Sequence, residues 1–208
     1  MEDSDGEFGL SYNGLWATAI RSRMATAPTE LLTTEQYRLL PDPGQPTELV
    51  RGNIIMMSNP GARHGYLCNR IGRLLGNFVE DHDLGFVFSN DSGVVTEHDP
   101  DTVRGPDIAF YSYQRIPKDP GPPEGYPEFP SELAIEVLSP NDFWKKVLAK
   151  VAEFLSAGVN TVCVVDPDRR DVTLFHPDRS TEKLFGDQLL SFPLHLPGFS
   201  IAVSRLFG

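Results

Sequence analysis

The sequence predicts an α/β fold, on three observations. Leu133-Ala134-Ile135-Glu136-Val137-Leu138 is a short apolar run stopped by Ser139-Pro140-Asn141, the pattern of a buried strand. A helical pattern from about Asp142 to Ala157 follows it, and then a second β-rich run, Thr161-Val162-Cys163-Val164-Val165. An earlier helical pattern, from about His64 to Asp81, places Leu67, Ile71, Leu74, Leu75, Phe78 and Val79 on one stripe. A chain of 208 residues with 40% hydrophobic residues supports one sizeable core. The expected organisation is a loose, disordered tail over residues 1–28 and a single domain over residues 29–208.

In chain order, the tail is polar and small. Met24-Ala25-Thr26-Ala27-Pro28 would make an ordinary protein start, so Met24 is a candidate initiation site. Thr33 and Gln36 have the spacing of a capping box, and Pro41 and Pro43 end the short helix it opens. Two apolar arms around Gly52-Asn53, from Thr47 to Met57, predict a β-hairpin with Glu48 on its first arm. His64 stands three residues before Leu67, at the first turn of the next helix, as a capping, buried or functional histidine.

Gly85 to Glu97 reads as two strand pieces with a break at Asn90-Asp91-Ser92-Gly93. Val103 to Tyr111 reads as one strand, opened by Pro106, in which Asp107, Ala109 and Tyr111 share a face. The Pro- and Gly-rich stretch from 115 to 131 is a long surface loop. In the helix after Pro140, Phe143, Val147, Val151, Phe154 and Leu155 form the expected buried stripe, and Gly158 closes it. Lys150 falls at the edge of that stripe. A second hairpin joins the run at Val165 to Val172-Thr173-Leu174-Phe175, and the C-terminal segment reads as edge packing.

A net charge of −11 argues against tight nonspecific binding of nucleic acid, which depends on Lys and Arg neutralising phosphates. A local basic cleft remains compatible with it. No apolar run approaches the ~20 residues of a membrane span, and no signal-peptide core follows the acidic start. The expected location is cytoplasmic. Cys68 and Cys163 each sit in an apolar element, outside any CxxC or Cys/His metal spacing, and read as reduced core residues.

Glu136 is the anomaly. An unpaired carboxylate in a buried strand is costly, so something must compensate it. An ion pair with a Lys or Arg is one answer. A second is a hard cation: Asp107 and Glu136 on neighbouring strands can share Mg²⁺, with Lys150 close by to stabilise developing charge. Lys150 also has a plainer explanation, a side chain that snorkels past core residues.

The ordered series Pro106-Asp107, Glu136-Val137-Leu138-Ser139-Pro140, Lys150, Ala157-Gly158-Val159 and Val164-Val165-Asp166-Pro167 resembles the Uma2 family. That family is a bacterial group of restriction-endonuclease-like proteins in the PD-(D/E)xK nuclease superfamily. Thr47-Glu48-Leu49-Val50-Arg51-Gly52 and Arg63-His64-Gly65 extend the similarity, which covers about residues 30 to 207. It implies a restriction-endonuclease-like core, a mixed β-sheet flanked by helices with added β-hairpins. It also implies Asp107 and Glu136 as metal ligands, with the Val137 backbone carbonyl as a third. Leu138 stands where the superfamily motif has its lysine, so the resemblance passes that role to Lys150. Glu48 and His64 become accessory ligands or general acid/base groups.

The function this implies is a Mg²⁺-dependent endonuclease, with Mn²⁺ as a substitute ion, in which a metal-activated water hydrolyses DNA phosphodiesters. The alternative is a nuclease-fold protein with weak or no catalysis and a binding or regulatory role. No membrane partner is expected. A homodimer is compatible with the first function, because cutting both strands often takes two copies.

Overall fold

The computed structural model of the protein describes residues 31–127, 129–140 and 142–208. The predicted tail and the candidate start at Met24 lie outside the described residues. Helix α1 (Thr34–Arg38) opens with the expected capping box: the Thr33 hydroxyl accepts from Gln36 N–H, and the Gln36 side chain accepts from Thr33 N–H. Strands β1 (Thr47–Val50) and β2 (Asn53–Met56) pair antiparallel, Val50 opposite Asn53. The turn is therefore Arg51-Gly52, one residue before the predicted centre, and both residues have positive φ, 48° and 72°. That is the twist a two-residue hairpin needs.

Helix α2 (Ala62–Asp81) starts two residues before the expected position. The chain continues through β3 (Gly85–Ser89), β4 (Val94–Glu97), β5 (Thr102–Arg104), β6 (Ile108–Ser112) and β7 (Leu133–Val137). Helix α3 (Trp144–Ala157), β8 (Thr161–Asp166) and β9 (Asp171–Phe175) follow. The C-terminal strands are β10 (Glu182–Phe185), β11 (Leu189–Phe192) and β12 (Leu196–Ala202), before a 3₁₀ turn at Val203–Leu206.

The central sheet is six-stranded and mixed, in the order β10-β9-β8-β7-β6-β3. β7 and β8 run parallel, joined by α3 as the crossover helix; every other pair in it is antiparallel. A second, four-stranded sheet has the order β2-β1-β5-β4. Alternation divides the central sheet into two faces. Leu133, Ile135, Val137, Cys163 and Val165 pack with Leu67, Ile71, Leu75 and Val79 of α2. Burying each such side chain contributes about 1.5–3 kcal/mol. On the other face, Ala134, Val162 and Val164 pack with Val151 and Phe154 of α3 and Val94 of the second sheet. Glu136 belongs to this second face by its register opposite Val164.

Three expectations need correction. Val103 to Tyr111 is not one strand: β5 joins the small sheet and β6 the central one, with Gly105-Pro106-Asp107 between them. The two pieces at 85–97 form as expected, with the break at 90–93, and they too lie in different sheets, across a turn where Asn90 and Asp91 have φ of 63° and 55°. Phe143 is 70% exposed, because its backbone is still extended (ψ 124°) and α3 begins at the next residue. The C-terminal segment is more than edge packing, since Leu190, Phe192, Leu196, Phe199, Ile201 and Leu206 complete the core over the α2 face. The long loop, over its described residues 115–127 and 129–131, Gly158 as the left-handed cap of α3 and the β8–β9 hairpin are as expected.

Candidate metal centre and its lysine

The crossings between the two sheets bring the predicted residues together. Asp107 stands one residue before β6, whose pairing sets Ile108 opposite Ile135. Continued by one residue, that register puts Asp107 beside Glu136. Asp107 Oδ2 accepts from Val137 N–H at 2.6 Å, so the carboxylate caps the open end of the ladder. Its Oδ1 lies 3.2 Å from His64 Nε2, delivered by the first turn of α2. The His64 ring also meets the backbone carbonyl of Val137.

Lys150 lies four helical turns of sequence beyond Glu136, but α3 folds back across β7 and aims it at the strand end. Its Nζ is 3.0 Å from Glu136 Oε1 and 3.1 Å from Oε2. It also lies 3.1 Å from Glu48 Oε1 and donates to the Gly105 carbonyl at 2.9 Å. Glu48 Oε1 takes a further hydrogen bond from Gly105 N–H, and Glu48 Oε2 accepts from Arg104 Nη1 at 2.8 Å. Arg104 in turn grips Glu153, one turn after Lys150, through Nε and Nη2 at 2.6 and 2.8 Å. All five sequence-predicted side chains therefore meet in one cluster, together with the backbone of Val137.

The cluster is strongly acidic. The acidic groups of Glu48, Asp91, Asp107, Glu136 and Glu153 outnumber the basic groups of Lys150, Arg104 and His64. Burial pushes the Glu136 carboxyl up to about 8, and the charges of Asp107 and Glu48 add to that against the pull of Lys150. Glu136 Oε1 is shut off from solvent and, though near Nζ, receives no well-directed hydrogen bond. Burial works on Glu48 too, but Lys150 and Arg104 outweigh it and hold that carboxyl below its usual range. Burial would lower Lys150, yet Glu136 and Glu48 keep its ammonium firmly charged. The hydrogen bond to Asp107 holds His64 above the ordinary histidine range, against burial.

Four residues around the site have no functional signature in the sequence. Asp91 sits in the positive-φ turn between the sheets, and its carboxyl is pushed up by burial and by the charge of Asp107. It closes over Gly105, where a Cβ would stand 2.7 Å from the Asp91 carbonyl oxygen. Arg104 and Glu153 reveal their pairing only when the small sheet packs on α3. Cys68, one turn after His64, places Sγ 3.4 Å from His64 Nδ1. Burial, reinforced by the charge of Asp107, keeps its thiol protonated.

The oxygen donors of Asp107 and Glu136 and the Val137 carbonyl fit a hard divalent cation. The buried, unsatisfied Glu136 Oε1 and the excess of negative charge are what such an ion would relieve. Lys150, by contrast, has three carboxylate or carbonyl partners for its three protons.

A family model named Uma2, described as "Putative restriction endonuclease", matches residues 34–204. No curated protein matches the chain by sequence. Among solved structures, a crystal structure described as "a putative nuclease belonging to DUF820 from Anabaena variabilis" superposes with a TM-score of 0.74. The alignment is 22% identical and covers 85% of this chain and 97% of that one, a likeness of fold. No helix among the described residues is long and apolar enough to cross a membrane.

Proposed function

The chain belongs to the Uma2 family, and from that premise we propose that it is a divalent-metal-dependent endonuclease that hydrolyses DNA phosphodiester bonds. The observation that carries the reading is the convergence of Asp107, Glu136 and Lys150, from a strand start, a strand end and a helix, around a buried carboxylate oxygen that lacks a directed donor. Asp107, Glu136 and the Val137 carbonyl would hold Mg²⁺ or Mn²⁺. Such an ion supplies Lewis-acid stabilisation of charge on the phosphoryl oxygens and a nucleophile at neutral pH.

The chain's own groups do the rest. Val137 N–H and His64 hold the Asp107 carboxylate from two sides, so its orientation is set before substrate arrives. Glu48 and Arg104 act on Lys150 rather than on substrate: Glu48 anchors the ammonium from behind, and Arg104 anchors Glu48. Lys150 releases one of its three partners to meet a phosphoryl oxygen or the attacking water. The hydrogen bond to Asp107 raises His64 and so favours its protonated form, which suits the protonation of a leaving oxygen. The test is cleavage of supercoiled plasmid by purified protein with Mg²⁺ or Mn²⁺. Cleavage that stops on chelation supports the reading, and no cleavage with either ion refutes it.

One observation favours a binding or regulatory protein of the same fold instead. All three Lys150 protons are already engaged, as in a structural ion-pair network. Titration calorimetry separates the two: absence of Mg²⁺ and Mn²⁺ binding at millimolar concentration would favour the regulatory role.

A further inference from the structure

His64 and Cys68 stand four residues apart on α2, and so project from one face of the helix. Both side chains reach toward Asp107. His64 Nε2 is 3.2 Å from Asp107 Oδ1 and 3.9 Å from Cys68 Sγ. A ligand atom of each of the three lies within 4.8 Å of the other two. A tetrahedral zinc ion with bonds of about 2.0–2.3 Å holds its donors roughly 3.3–3.6 Å apart. The two distances from His64 Nε2 therefore stand within a few tenths of an ångström of that spacing, and the Cys68–Asp107 pair, held within 4.8 Å, closes on it by a small side-chain rotation. A nitrogen, a sulfur and one oxygen form a set that Mg²⁺ avoids and borderline-soft ions prefer.

We propose that His64, Cys68 and Asp107 form a second, distinct metal site for a borderline-soft divalent ion, with Zn²⁺ as the ligand, and that its occupation inhibits the enzyme. The sulfur binds as thiolate, its proton leaving to solvent. Inhibition follows because Asp107 is shared: an ion held by His64 and Cys68 draws that carboxylate away from Glu136 and ties up the imidazole. The inhibitory consequence rests on Asp107 being a ligand of the hydrolytic ion; the zinc site itself does not. Without an ion the three groups form a hydrogen-bonded chain, in which Cys68 and Asp107 simply orient the imidazole between them. Only the metal site predicts sulfur ligation.

The full chain, freed of metal, is titrated with Co²⁺, whose thiolate charge-transfer absorption reports a cobalt–sulfur bond directly. The wild-type protein is expected to develop this band and lose it when Zn²⁺ is added. Cys68→Ser is expected to abolish the band. Cys163→Ser, which alters the other free cysteine deep in the core, is expected to keep it. Zn²⁺ affinity falls at least about tenfold in Cys68→Ser. Inhibition is read in each protein relative to its own Mg²⁺-supported rate, and in Cys68→Ser it shifts to correspondingly higher Zn²⁺. A folded wild-type protein that shows no band, or a band that survives in Cys68→Ser, overturns the site. Cleavage inhibited by Zn²⁺ equally in both proteins overturns the inhibitory role. The band needs no DNA, so a protein that binds Co²⁺ through Cys68 but never cuts DNA upholds the site and refutes the nuclease reading alone.

Discussion

Lys150 Nζ lies 3.0 Å from Glu136 Oε1, although the two residues belong to different elements and are separated by the turn at Pro140. The contact exists because α3 crosses back over the strand it follows, burying Val151 and Phe154 against the face from which Glu136 projects. The same helix face that packs the core therefore delivers the cation to the acid. The contact joins an ion pair to a group whose burial opposes ionisation, and the behaviour of the site turns on which tendency prevails under given conditions.

Removing either carboxylate should end metal-dependent cleavage. Asp107→Ala and Glu136→Ala are each expected to reduce plasmid nicking with Mg²⁺ by roughly 10²-fold or more, the scale of losing a group that stabilises transition-state charge. Glu136→Ala leaves Asp107 and its hydrogen bond from Val137 intact, so the fold should survive, as circular dichroism would report. Full activity in both variants would discard the assignment of the site.

Lys150→Met should damage stability as well as activity. It leaves Glu136 and Glu48 facing each other without their shared cation, and breaking a buried pair this way costs about 3–5 kcal/mol. Arg104 still holds Glu48, which moderates the loss. Urea unfolding should recover part of it in the Lys150→Met/Glu136→Gln double variant, where no unpaired charge remains at position 136. Strict additivity of the two single variants would show that they are not coupled.

The pH dependence of stability should carry the mark of Glu136. Burial raises its folded-state carboxyl from the ordinary 4.5 to about 8. The group therefore contributes stability fully present below 4.5, which is lost as pH rises towards and through about 8. Glu48 has the opposite sign: its lowered carboxyl contributes stability above its unfolded value, lost only in acid. His64, raised, adds a loss as pH rises above the histidine range. In metal-free protein the melting temperature should fall across the neutral range. Glu136→Gln should flatten that fall, and so should saturating Mg²⁺, which favours the ionised carboxylate. An unchanged slope in Glu136→Gln would assign the effect to other groups.

How much of this was open to inspection in the sequence depends on whether a residue's role is local. Glu136 betrays itself because a carboxylate in an apolar run violates its surroundings, and the helical stripe places Lys150 at the edge of the core. The capping box at Thr33 and the αL cap at Gly158 are local by nature. The division of Val103–Tyr111 between two sheets is not, because either half alone has the composition of a strand. Gly105-Pro106 marks a break in the chain, but nothing nearby in sequence says that the two sides of it join different sheets. Arg104 and Glu153 escape notice for the same reason: they pair only when the small sheet docks on α3. Asp91 enters the site only through the turn that carries the chain from one sheet to the other. Phe143 fits the helical periodicity, yet it falls one residue outside the helix.

Two glycines of the scaffold should respond oppositely to alanine. Gly85 opens β3 against β6, paired with Ser112, and an added Cβ would overlap the Tyr111 carbonyl oxygen and lie 2.7 Å from Ser112 Cα. Neither backbone atom can move without breaking the edge of the central sheet, so Gly85→Ala should destabilise by about 1–3 kcal/mol or more. Gly76 lies inside α2 with nothing within 4 Å of its added Cβ. There alanine removes unfolded-state entropy and improves helix propensity, so Gly76→Ala should stabilise by about 0.4–1 kcal/mol. Urea midpoints measure both. α2 carries His64 and Cys68 at its other end, so Gly76→Ala should also leave cleavage and the cobalt band unchanged. A loss of either signal would mean that rigidity of the helix, beyond its position, matters to the site.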